Sequence, residues 1–153
     1  MAGDMDLATL LAERDISGLV TRYAKALDDA DWKAFHGLFA EQVAIDTSGL
    51  RGVPPSVMDR DAWVARVRGT VEQFERVLHY STNHVVEIDG DRGACHSHAQ
   101  NVHDYLLDGE TRHFVVHGRY THEVRRTPQG WRISAVRLAF VMREGEPPPA
   151  PHA

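Results

Sequence analysis

Cysteine is almost absent from this chain. One thiol, Cys95, is the whole complement in 153 residues, so no internal disulfide can form and packing must hold the fold together. Basic runs are equally scarce. No more than two Lys or Arg stand side by side, and 17 basic against 22 acidic residues give a formal charge of −5. Neither a nucleic acid nor an anionic membrane is an expected partner of such a chain. No apolar run approaches the roughly 20 residues that cross a bilayer. The start, MAGDMDLATLLAERD, lacks the basic residues and long apolar stretch of a secretion signal. These absences point to a cytoplasmic protein. Phosphate-cradling glycine motifs, dinucleotide fingerprints and the GxSxG elbow are missing too.

Apolar residues make up 42% of the chain, enough for the core of one domain. Asp6 can cap a helix from Leu7. Leu7, Leu10, Leu11, Leu19, Val20, Tyr23 and Leu27 recur at helical spacing, with Ser17-Gly18 as a weak point. Asp31 can cap a short second helix that buries Trp32, Phe35, Leu38 and Phe39. Val43 to Asp46 reads as a strand, and 47–60, with Pro54-Pro55, as a loop. A third helix is expected from Asp61 to about Glu75.

The rest reads as β. Strands are expected over 79–88, 93–107, 112–126 and 131–142, separated by Asp89-Gly90-Asp91, Asp108-Gly109 and Pro128-Gln129-Gly130. Tight turns between successive strands predict an antiparallel meander. Helices followed by a meander make an α+β domain over 1–143. The proline-rich stretch 144–153 reads as a disordered tail.

Four segments carry a family resemblance: LDDADW (Leu27 to Trp32), VAID (Val43 to Asp46), TNHVVEIDGD (Thr82 to Asp91) and HGRYTHEVRRTPQGWRI (His117 to Ile133). In order and spacing they resemble the SnoaL-like branch of the NTF2-like proteins, and within it the scytalone dehydratase type. The resemblance implies a cone-shaped barrel, a curved and mainly antiparallel sheet wrapped by helices around a pocket. It also implies an acid–base site of one aspartate and two histidines, which fall on Asp28, His84 and His117. Asp28 would accept a hydrogen bond from His117 and fix its tautomer. Where that type carries tyrosines, this chain has Leu27 and Thr47, so scytalone itself is not the expected substrate. Bile-acid dehydratases of the superfamily place a tyrosine five residues before the aspartate, the spacing of Tyr23 and Asp28. Tyr23, Leu27, Thr47, Asn101 and Tyr120 are the expected substrate-binding residues.

Imidazole suits such a site because it both accepts and donates protons near neutral pH. The expected function is cofactor-independent dehydration, isomerisation or cyclisation of a small apolar cyclic or polyketide-like carbonyl compound, with dehydration favoured. The alternative is a non-catalytic module that binds a ligand or supports an oligomer, since the superfamily also holds binding proteins and dioxygenase subunits without chemistry of their own. His96 and His98 share a strand face with metal-ligand spacing, but no further ligand pattern reinforces them, and neither a metal nor a cofactor is expected. His79 and His122 read as surface residues, and Trp32, Trp63 and Trp131 as packing. A homo-oligomer is expected from the resemblance, a trimer before a dimer.

Overall fold

Helix α1 (Leu7–Asp28) is one unbroken helix through Ser17-Gly18. Asp6 caps it by accepting from the Thr9 amide at 2.7 Å. Its buried stripe is Ala12, Ile16, Leu19, Val20, Tyr23, Ala26 and Leu27, so the helical periodicity of the sequence is the face that packs. A turn with Ala30 at φ 51° leads to Asp31, which caps α2 (Trp32–Gly37) by accepting from the Ala34 amide at 2.9 Å. This computed structural model describes residues 6–149.

Strand β1 (Phe39–Asp46) follows. The stretch expected as a loop contains a single helical turn, α3 (Ser48–Arg51), and a short strand, β2 (Ser56–Asp59), that pairs antiparallel with β1. Pro54-Pro55 does not prevent this, because the prolines precede the paired segment. Helix α4 (Arg60–Val71) ends four residues short of the expected limit. The meander is as expected: β3 (Arg76–Asp89), β4 (Arg92–Leu107), β5 (Glu110–Thr127) and β6 (Gly130–Glu144) pair antiparallel in succession. The six strands run in the order β2-β1-β6-β5-β4-β3, and β1 joins β6 in parallel. Glu144, expected in the tail, ends β6. Beyond it the Tyr105 hydroxyl donates to the Glu146 carbonyl at 2.9 Å, and residues 150–153 lie outside the described part.

Period two sets what faces inward. On β4 the buried residues are Cys95, Ser97, Ala99, Asn101, His103 and Tyr105; on β5 they include Phe114, Val116, His122 and Val124. A bulge on β3 changes the phase. The pairing with β4 slips between Thr82 and Val85, and Asn83 takes φ 56°, a conformation that asparagine tolerates better than most residues. Val77, His79 and Ser81 therefore turn inward before the bulge, and His84, Val86 and Ile88 after it.

Two apolar clusters fill the interior. One centres on Phe35, whose ring lies 5.1 Å from Tyr23 and 4.9 Å from Phe39. The other contains Tyr105, Phe114, Val116 and Leu138, and Tyr120 touches both. Close approach between β3 and β4 depends on Gly93. A Cβ there would stand 2.6 Å from the Glu87 carbonyl oxygen and 3.4 Å from Ile16 Cδ1. Gly93→Ala is expected to destabilise the protein by about 1–3 kcal/mol, as overpacking does, and a lowered urea midpoint would report it.

Candidate active site

Asp28 is the last residue of α1. A helix C-terminus disfavours a carboxylate, so this one needs donors from elsewhere. β3 supplies them. The His79 backbone N–H donates to Asp28 Oδ1 and Oδ2 at 3.0 and 3.1 Å, and His79 Nδ1 lies 2.7 Å from Oδ1. With the carboxylate ionised and the ring neutral, Nδ1 carries the proton and Nε2 keeps its lone pair. The His79 side chain is 9% exposed and that of Asp28 19%.

His79 lies on the wall of a cavity of about 120 Å³ between α4 and the sheet. His103 is a second imidazole on that wall, its ring 5.6 Å from that of His79 and perpendicular to it. His103 Nδ1 lies 3.2 Å from the Phe114 carbonyl oxygen, to which it donates, and the ring packs between Phe74 and Phe114. Asn101 and Tyr120 add polar groups, with Asn101 Nδ2 donating to the Tyr120 hydroxyl at 3.5 Å. Leu27, Thr47, Leu50, Val67, Val71 and Leu138 supply much of the remaining wall.

Of the residues expected from sequence, Asp28 is therefore in the arrangement, and Leu27, Thr47, Asn101 and Tyr120 line the cavity. The two expected histidines do not join them. His117 lies on the outer face of the sheet, in a shallow groove with Tyr80, His98, Gln100, Arg119 and Val141, and its Nε2 is 2.7 Å from Glu144 Oε1. Period two requires this: Phe114, Val116 and Tyr120 face the cavity, so His117 cannot. Its expected hydrogen bond to Asp28 is made by His79 instead. His84 faces α1, with Ser17 Oγ 2.7 Å from Nδ1 and Ser81 Oγ 2.9 Å from Nε2. Burial holds its pKa below the usual imidazole value, outweighing the Ser81 hydrogen bond. Tyr23 is in the core rather than on the cavity wall. Burial, and then its contact with Tyr120, holds its phenol well above the usual range.

His79 and His122 both depart from the surface positions expected of them. His122 is 1% exposed, its ring 4.9 Å from Tyr23 and 5.0 Å from Tyr120. Neither ring nitrogen has a partner among the described residues. Burial, with a smaller contribution from His84, holds its pKa down at about 3. Cys95 is fully buried, and burial pushes its thiol up to about 11. His103 had a legible signal, because it shares a strand face with Asn101 two residues before it. His79 had none, because the apolar residues flanking it, Leu78 and Tyr80, mark the opposite phase.

The sequence profile of the SnoaL-like domain matches residues 8–137. No curated protein sequence matches the chain. Among solved structures, the Kfla4162 protein from Kribbella flavida is 29% identical, with a TM-score of 0.83 over 88% of this chain and 94% of its own. A protein of Novosphingobium aromaticivorans, provisionally described as an aromatic ring hydroxylase, is 27% identical, with a TM-score of 0.77 over 90% and 94%. Another from that organism, provisionally described as a scytalone dehydratase, is 18% identical, with a TM-score of 0.77 over 90% and 89%. The expected architecture is borne out: the fold is that of the NTF2-like superfamily.

Proposed function

Because the chain belongs to the family of SnoaL-like domains, we propose that it is an acid–base catalyst acting on a small cyclic carbonyl compound, with elimination of water the favoured reaction. The observation that carries the reading is His79 on the wall of a largely apolar cavity, its ring backed from outside that wall by Asp28. His79 Nε2 is the base that removes a proton α to the carbonyl. Asp28 holds the ring in the required tautomer and stabilises the imidazolium that forms. Asn101 and Tyr120 are hydrogen-bond donors to the developing enolate oxygen. His103, whose Nδ1 donates to the Phe114 carbonyl, returns a proton from Nε2 to the leaving hydroxyl in its imidazolium form. No cofactor has a part in this scheme. The site keeps the expected composition of one carboxylate and two imidazoles but takes its histidines from other positions.

Removal of the α proton is common to dehydration, isomerisation and cyclisation, so the test does not need the natural substrate. The protein is incubated in D2O with a panel of cyclic β-hydroxy ketones, and NMR follows α-hydrogen exchange while absorbance follows enone formation. Exchange that requires His79 supports the reading; no exchange across the panel counts against it.

A binding-only module is the second reading, favoured by the cavity volume. About 120 Å³ is below the roughly 300 Å³ at which ligand pockets usually begin. It is close to that of a known engineered cavity, about 150 Å³, that takes up benzene, so one ring is the size of ligand that fits.

Self-association belongs to the same proposal. Leu78 and Tyr80 on the outer sheet face are 45% and 48% exposed, and Val141, across the outer groove from Tyr80 on β6, 52%. Burying these against a second copy removes apolar surface from water. Sedimentation velocity is expected to show an oligomer that Tyr80→Glu dissociates. A wild-type monomer at all concentrations would contradict it.

A further inference from the structure

The inward stripe of α4 breaks an ordinary rule of packing. Trp63, Arg66, Val67, Thr70 and Val71 all line the cavity. Their spacing of three and four residues makes them one helix face. A helix face laid against a sheet is normally apolar, and arginine is among the residues least often placed there without a partner. Arg68, two positions on and facing solvent, pairs with Glu72 at 2.6 Å. Arg66 has no acidic partner among the described residues, and no aspartate or glutamate lines the cavity. One turn earlier on the stripe, the Trp63 indole N–H is buried and also without a partner among the described residues. The helical wall thus presents donors with nothing to receive them, opposite the sheet wall that carries His79, His103, Asn101 and Tyr120.

We propose that Arg66 binds an anionic group of the substrate, so that the cavity takes a single-ring carboxylic acid as its carboxylate. This rests on the cavity being the substrate site, as the proposed function has it, and adds the chemical class of the occupant. Arg66 is part-exposed, so its charge stays hydrated while the cavity is empty. A planar guanidinium matches a carboxylate with two parallel N–H···O bonds. Displacement of water by the ring strengthens that pair, because the local dielectric falls. The anion at the α4 wall would then fix which ring carbon meets His79.

Binding tests this apart from catalysis. Benzoate and benzamide have nearly the same shape and differ in charge. Their affinities are measured by ligand-observed NMR on the full chain at about pH 8, where ordinary imidazoles are neutral. Wild type is expected to prefer benzoate by about ten-fold or more, the size of one charge-assisted hydrogen bond. The preference is expected to disappear in Arg66→Gln, to survive in part in Arg66→Lys, and to persist in His79→Ala. Equal affinity for the two probes, binding of neither, a preference that outlasts Arg66→Gln, or one that vanishes with His79 would each overturn the proposal. Circular dichroism checks that Arg66→Gln is folded; glutamine suits a part-exposed helix position. If no exchange occurs in D2O but Arg66-dependent benzoate binding remains, the catalytic reading has failed and this one has not.

Discussion

His79→Ala is expected to lower α-hydrogen exchange by about 10²- to 10⁴-fold, the usual contribution of a positioned general base. Asp28→Asn is expected to fall in the same range for a different reason. Asparagine keeps the volume and still offers an oxygen, but its amide can turn an N–H toward His79 Nδ1. The ring then carries its proton on Nε2, the atom that must be free to accept one. Asp28 receives three hydrogen bonds from a single residue, through the His79 backbone N–H and ring. The substitution therefore disturbs the tautomer before it disturbs the fold. His117→Ala serves as the control. It removes an imidazole from the outer sheet face, where the ring contacts Glu144, and exchange is expected to be unchanged. Wild-type exchange in both His79→Ala and Asp28→Asn would exclude the mechanism, and loss of exchange in His117→Ala would point to the outer groove instead.

Stability is expected to fall on mild acidification, through His122. Its folded pKa of about 3 lies below the ordinary imidazole value of about 6.5. Below the ordinary value the unfolded chain takes up a proton that the folded chain refuses. Stability is therefore full above about pH 7 and is lost progressively as the pH falls toward 3. Linkage gives a loss of about 2 kcal/mol at pH 5 and about 3 kcal/mol at pH 4 from this residue. His84, whose pKa burial also lowers, contributes in the same direction. Urea titrations at pH 7 and pH 5 measure the difference. His122→Phe keeps an aromatic ring between Tyr23 and Tyr120 and removes two buried nitrogens that have no partner among the described residues. Replacing such groups by apolar ones is close to neutral or stabilising. The variant should be at least as stable as wild type at pH 5, with a shallower pH dependence. An identical dependence in the two proteins would show that the imidazole is not held neutral.

The apolar periodicity of α1, the caps Asp6 and Asp31, and the three turns of the meander are local signals, and each was legible because the residues that make it are neighbours in sequence. Asp28 was legible for the same reason, from its place at the end of α1. Strand periodicity carried a further signal. Asn101 and His103 stand two apart on β4 and had to share a wall, while Tyr120 and His117 stand three apart on β5 and could not.

The tertiary structure decided the rest. Parallel pairing of β1 with β6 joins segments that lie about ninety residues apart, and no local pattern encodes such a contact. The phase of β3 depended on one bulge at Asn83. By alternation alone Leu78, Tyr80, His84, Val86 and Ile88 form a single face. The bulge moves Leu78 and Tyr80 outside, keeps His84 against α1 and turns His79 inward to Asp28. The sequence alone determined the class of the fold and the kinds of group its site would use. Which histidines reach the cavity was settled only in three dimensions, because adding one residue to a strand reverses every side chain beyond it.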